Sequence, residues 1–155
     1  MGIDTYLTYS TYSTYLTKSQ TKTLTFEDLA VWQRCRALRE KVSNLVKSFP
    51  KDEQFRLVDQ MIRAARSSTA NIAEGYGRYH YKENIQFCRQ ARGSLYELLD
   101  HLTVALDERY IDREKFEEFR TEVLESVKIL NRYIKYLQRK KNDDDRQPTR
   151  PTQPT

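Results

Sequence analysis

Between Phe116 and Leu137 the apolar residues Phe116, Phe119, Val123, Val127, Leu130, Ile134 and Leu137 fall at steps of three and four. That spacing gathers them on one stripe of an α-helix; a half-buried strand would need steps of two. The steps alternate four and three, a heptad-like seam of the kind that packs against other helices. Three more stretches carry the same period. Leu29, Trp32, Cys35, Leu38, Val42, Leu45 and Phe49 predict a helix over about 27–48, with Thr25 as N-cap, Asp28 completing a capping box and Pro50 ending it. Phe55, Val58, Met61/Ile62, Ala65, Ser68/Thr69 and Ile72 predict one over about 52–74, closed by Gly75 in the left-handed conformation. Ile85, Cys88, Ala91, Leu95, Leu98/Leu99, Leu102 and Leu106 predict one over about 82–108, and the fourth runs over about 113–141.

Only 4 Gly and 4 Pro stand among 155 residues, too few for a turn-rich β fold. Short connections force neighbouring helices to run antiparallel, so the expected architecture is all-α, an up-down-up-down four-helix bundle over residues 25–141. Residues 1–24 are a Tyr/Thr/Ser tract with Tyr6, Tyr9, Tyr12 and Tyr15 three apart, read as a disordered arm. Residues 142–155 are polar and proline-bearing, read as a disordered tail.

The stretch "RAARSSTANIAEGYGRYHYKEN" gives its most packable helical positions to small and polar residues. Folding the second and third helices into a hairpin centred near Tyr79 sets Ala64 and Ser68 opposite Ala91, Gly93 and Ser94. Small residues on both sides let the helix axes approach closely. In the same hairpin Arg66 meets Arg92, Arg63 meets Glu97, and Asn71 meets Ser67, Ser94 or a facing carbonyl. Arg63, Asn71, Ser94 and Glu97 are thus expected as a paired polar layer that fixes register, with Glu74 one turn beyond joining it or reaching a partner subunit.

Little points to catalysis. His80 falls in a loop and His101 is alone on its helix, with no second ligand at metal spacing. There is no Glu-x-x-His on a helix, and Gly75-Tyr76-Gly77 lacks the Lys-Ser/Thr of a phosphate loop. The expectation is a non-enzymatic protein without metal or cofactor. Cys35 and Cys88 read as buried reduced thiols, and no secretory leader or run of about 18 apolar residues is visible, which suggests a cytoplasmic protein off the membrane.

Charge is segregated rather than scattered. Residues 56–92 hold seven Lys/Arg against three Asp/Glu, residues 93–127 hold four against ten, and residues 128–141 hold six against none. Such blocks suit either subunit assembly or a polyanion. Lys128, Arg132, Lys135 and Arg139 share one helix face and suit a phosphate backbone. In the loop "GYGRYHYK", Tyr76 and Tyr79 (with Tyr81) offer stacking faces and Arg78 and Lys82 offer phosphate contacts.

"FEDLAVWQRCRAL", "DQMIRAARSSTANIAEGYGR" and "FCRQARGSLYELLDHLTVA" resemble the bacterial four helix bundle protein family, which includes proteins encoded by intervening sequences in large-subunit ribosomal RNA genes. The resemblance spans about residues 26–140. It implies a left-handed bundle assembling as a cyclic homopentamer with a central channel, and distant kinship with the accessory protein of diversity-generating retroelements. RNA, a reverse transcriptase or a ribosomal component are the partners it suggests, and no enzymatic activity comes with it. Two functions are therefore expected: a ring-forming nucleic-acid-binding accessory protein, or an oligomeric protein–protein scaffold with no direct RNA binding.

Overall fold

A computed structural model of the protein describes residues 24–146. The arm expected before Leu24 and the tail after Arg146 lie outside the described residues. Four helices follow in order: α1 (Ala30–Leu45), α2 (Leu57–Gly77), α3 (Tyr81–Asp107) and α4 (Arg113–Arg146). Contacts join α1 to α2, α2 to α3, α3 to α4 and α4 back to α1, the closed circuit of a four-helix bundle, with α2–α3 the most extensive. All seven apolar residues of the α4 seam are buried. They meet Trp32, Cys35, Leu38 and Val42 of α1, Met61, Ala65 and Ile72 of α2, and Cys88, Leu95, Leu98 and Leu102 of α3 in one core.

The ends of the helices depart from the simple periodic reading, each for a local reason. Thr25 and Asp28 do form the capping box: Thr25 Oγ1 accepts from the Glu27 N–H at 3.2 Å, and Asp28 Oδ2 accepts from the Thr25 N–H at 3.1 Å. The box closes a single 3-10 turn, Phe26–Asp28, because Leu29 then turns extended (φ −73, ψ 123) and α1 starts afresh at Ala30.

α2 begins at Leu57, well after the expected Asp52. A 3-10 turn at Lys51–Glu53 intervenes, and Arg56 leaves the helical region at φ −122, ψ −107. Glu53 holds this turn in place: one carboxylate oxygen accepts from the Leu57 N–H at 3.2 Å and the other from the Tyr110 hydroxyl at 3.1 Å. The chain here follows its anchors rather than the stripe, so Phe55, expected in the core, is 87% exposed. At the far end α4 runs through Arg146 instead of stopping at Lys141, with an ion pair from Lys141 to Asp145 (3.5 Å) along its extension.

The α3–α4 turn stops α3 with a Schellman arrangement. Arg109 takes the left-handed conformation (φ 61), its N–H bonds to the Leu106 carbonyl at 3.0 Å, and the Tyr110 N–H bonds to the Ala105 carbonyl at 2.8 Å.

Gly75 corrects a second expectation. It has no positive φ and does not end α2; it is buried inside it, and the helix stops only when Arg78 becomes extended. What Gly75 provides is room. A Cβ there would lie 2.8 Å from Asn84 Oδ1, 2.9 Å from Phe87 Cβ and 3.1 Å from the Asn84 carbonyl, so α3 crosses α2 where no side chain fits. Gly93, in mid-α3, has nothing within 4 Å of its would-be Cβ. Gly75→Ala should therefore lose about 1–3 kcal/mol by overpacking, while Gly93→Ala should gain about 0.5–1 kcal/mol from helix propensity alone. Urea unfolding of the two variants checks both; equal effects would mean that α2 and α3 are not in such close contact.

Candidate nucleic-acid interface

The polar layer forms, but around fewer residues than expected. Asn71 Nδ2 donates to the Ser67 carbonyl at 2.9 Å and to Ser67 Oγ at 3.0 Å, and Ser94 Oγ donates across to Ser67 Oγ at 2.9 Å. Ser67 is thus the link between α2 and α3. Arg63 and Glu97 do not join it. Arg63 is 78% exposed and faces Asp59 at 3.5 Å, while Glu97 faces His101 at 3.6 Å. At this level the buried positions are Ala64 and Leu98, one residue further along each helix, so Arg63 and Glu97 turn outward. The outcome follows from desolvation, since burying that ion pair would cost more than leaving each charge beside a helical neighbour in water. Glu74 lies outside the layer too, accepting from Arg78 at 2.7 Å on the surface. Nor do Arg66 and Arg92 meet: Arg92 donates to Asn131 of α4 at 2.9 Å, and Arg66 lines a groove between α1 and α2.

Both cysteines are buried free thiols. Burial pushes each up to about 12; a hydrogen bond with Ser68 and the nearby Arg34 charge partly oppose this at Cys35, and Cys35 itself adds to it at Cys88. A thiol held neutral in this way is a packing group rather than a nucleophile. Cys88 Sγ lies 3.4 Å from Asn84 Oδ1, whose Nδ2 donates to the Tyr133 hydroxyl at 3.3 Å. Asn84, wedged against Gly75, therefore ties the core to the surface of α4.

Lys128, Arg132, Lys135 and Arg139 are all exposed on the side of α4 away from the core. Lys128 reaches Glu125 at 3.5 Å, and the other three have no ion-pair partner among the described residues. The loop residues are less uniform. Tyr79 is 94% exposed and Lys82 is exposed. Tyr76 is half-buried and donates its hydroxyl to the Leu24 carbonyl at 2.9 Å. Arg78 is already engaged by Glu74, and its guanidinium lies 5.1 Å from the centre of the Phe87 ring, so it is held as a wall rather than offered as a loose cation.

Two residues escape the sequence reading. Tyr133 and Tyr136 come off α4 beside the basic face and stack on each other at 6.3 Å with rings 16° apart, and Lys140 sits 5.9 Å above Tyr136. Their spacing of three within a basic run was the available signal. With Tyr76, Tyr79, Tyr81, Leu29 and Leu137 they line a cavity of about 410 Å³ at the end of the bundle where α2 turns into α3. Among the described residues no three His, Cys, Asp or Glu gather as a metal site, and no helix is long and apolar enough to cross a membrane.

The family described as 23S rRNA-intervening sequence protein matches residues 27–132. The chain belongs to this family. Its fold is also that of a crystal structure from Bacteroides thetaiotaomicron, described as a protein with unknown function from the S23 ribosomal protein family. The two share 24% identity with a TM-score of 0.65, over 70% of this chain and 98% of that one. No curated protein matches the chain. The family match takes in all of α1, α2 and α3 and most of α4's seam, but it ends at Arg132, so Lys135, Arg139 and Tyr136 are features of this chain beyond the matched segment.

The two thiols give this family member a definite pH response. A neutral group whose folded pKa is raised to about 12 stabilises fully below its unfolded value and loses that contribution as pH rises toward 12. Unfolding free energy should therefore fall across pH of about 9–12, and the fall should be shallower in Cys88→Ala. In native protein at neutral pH neither thiol should react with iodoacetamide, and both should do so in urea; rapid native labelling would contradict the buried placement.

Proposed function

We propose that this intervening-sequence family member is a non-enzymatic RNA-binding protein that acts as a homo-oligomer, with α4 supplying the phosphate-binding face. The observation that supports this reading most is the stripe Lys128–Arg132–Lys135–Arg139. These four cations occur in a stretch with six basic and no acidic residues, they point away from the core, and three of them lack a protein counter-charge among the described residues. Cations left unpaired on a rigid helix are what a phosphate strand needs, since binding then displaces counterions rather than breaking ion pairs.

A second reading, an oligomeric scaffold that recruits a protein such as a reverse transcriptase or a ribosomal component without touching RNA, draws support from exposed apolar side chains elsewhere. Phe55, Tyr96 and Val104 stand out in solvent, well suited to a subunit or partner contact. The acidic and basic blocks would then meet across subunits.

The two readings separate on salt. RNA affinity should fall with rising salt, and replacing all four stripe residues by Gln should flatten the slope of log K against log salt by about three for a single strand. Unchanged affinity in a folded quadruple variant would leave the scaffold. Light scattering should give a multiple of 18.5 kDa, with five copies expected, and a mass of one chain would remove the oligomer.

A further inference from the structure

We propose that the tyrosine-lined cavity at the α2–α3 end is a base pocket, which takes one unstacked nucleobase of single-stranded RNA while the α4 stripe holds the neighbouring phosphates. The inference rests on the RNA-binding reading and assigns it a second, chemically distinct contact.

The composition of the cavity selects this occupant. Five tyrosines, Tyr76, Tyr79, Tyr81, Tyr133 and Tyr136, border one space of about 410 Å³, within the range of small-molecule sites, about 300–1,000 Å³. They come from both sides of the fold, three from the α2–α3 turn and two from α4, so the space exists only in the assembled bundle. Two of them keep ring surface in water: Tyr136 is 50% exposed and Tyr79 is 94% exposed, its ring set edge-on to His80 at 5.1 Å. Aromatic faces presented in this way are what flat π-systems stack on. The polar lining carries both signs of charge, the Arg78 guanidinium already held by Glu74 at 2.7 Å and the Asp28 carboxylate, so the ring faces are what select the occupant. Asn84 lines the space with its amide engaged by Tyr133 and Cys88, and Asp28 accepts from the Thr25 N–H at 3.1 Å.

The geometry also joins the pocket to the stripe. At 100° per residue, Tyr136 lies about 70° around α4 from the centre of the stripe, and Tyr133 about 60° further on toward the core. Lys140, 5.9 Å above the Tyr136 ring, sets a further cation on the tyrosine side of the helix, between Tyr136 and Tyr133. A strand following Arg132, Lys135 and Arg139 thus passes the mouth of the cavity and can turn one base into it. Only an unstacked base can do so; in an RNA duplex the bases are stacked and paired, out of reach.

The test uses the full chain and three oligoribonucleotides of equal length: a single strand, the same strand with abasic sites, and a duplex. Abasic sites keep the phosphates and remove the stacking partner. The intact strand should bind about 5- to 150-fold more tightly than the abasic one, with the same salt slope, and more tightly than the duplex. Tyr79→Ala and Tyr136→Ala, both at exposed rings whose loss leaves the core intact, should each shrink the difference between intact and abasic strands. Salt-dependent binding that is equal for intact and abasic strands would overturn the base pocket and leave the phosphate stripe standing. Discrimination undiminished in both tyrosine variants would place base contact elsewhere and also overturn it. If no oligonucleotide binds, the RNA-binding reading falls and the pocket falls with it.

Discussion

The close approach of α2 and α3 is the constraint on which the rest of this protein depends. Ala64, Ser68, Ala91 and Ser94 are buried on the two helices, and Gly75 leaves a gap that Asn84 and Phe87 fill. Small residues bury little apolar area each, so they stabilise the pair by bringing two backbones and their longer neighbours into dispersion contact. The hydroxyls need partners at that distance, and Ser67, Asn71 and Ser94 satisfy one another. With this hairpin set, the turn between its helices is set as well. The loop tyrosines then border the same cavity as Tyr133 and Tyr136 of α4, and Asn84 can reach Tyr133.

α1 is attached differently. It makes fewer contacts with its neighbours, and a groove lined by Trp32, Arg39, Arg66 and Thr69 separates part of it from α2. Two polar fastenings span its edges. Arg39 donates to Thr69 Oγ1 at 2.8 Å, and Glu122 of α4 receives both Arg34 at 3.0 Å and Lys41 at 2.9 Å. Glu122 sits mostly out of water while its partners remain partly solvated, a geometry in which a shared carboxylate contributes more than an exposed pair. Hydrophobic burial by Trp32, Leu38 and Val42 drives α1 onto the bundle, and these fastenings choose its register.

The distribution of charge fits a division of labour along α4. Its first half carries Glu122, which holds α1, among other acids, and further along Arg132, Lys135 and Arg139 have no ion-pair partner among the described residues before the Lys141–Asp145 pair near the end. One helix can serve both ends because the core stripe from Phe116 to Leu137 is continuous and leaves the outer face unconstrained. The basic stripe and the aromatic cavity beside it are therefore options that the fold permits rather than requirements of stability.

Periodicity alone was enough to read four helices, their order and most of the buried positions, though not Val31, Val46, Leu57, Ala105 or Ile111, because steps of three and four on a helix face gather the apolar surface on one side. The hairpin centred near Tyr79 and the small-residue seam were legible because antiparallel neighbours fix which residues meet; Asn71 was read with Ser67, Ser94 or a facing carbonyl, and the structure makes Ser67 the link. Tertiary structure alone decided the rest. Glu53, pinned between the Leu57 N–H and the Tyr110 hydroxyl, delayed α2 and put Phe55 in water. Arg63 and Glu97 were close enough in the hairpin reading to pair, but a one-residue offset at the seam and the cost of desolvation sent each outward. Gly75 looked like a helix end, yet its role depends on how near α3 passes, a distance no local pattern encodes. The gathering of Tyr133 and Tyr136 with the loop tyrosines was hidden likewise, since residues more than fifty positions apart share a cavity only after two helices have closed on each other.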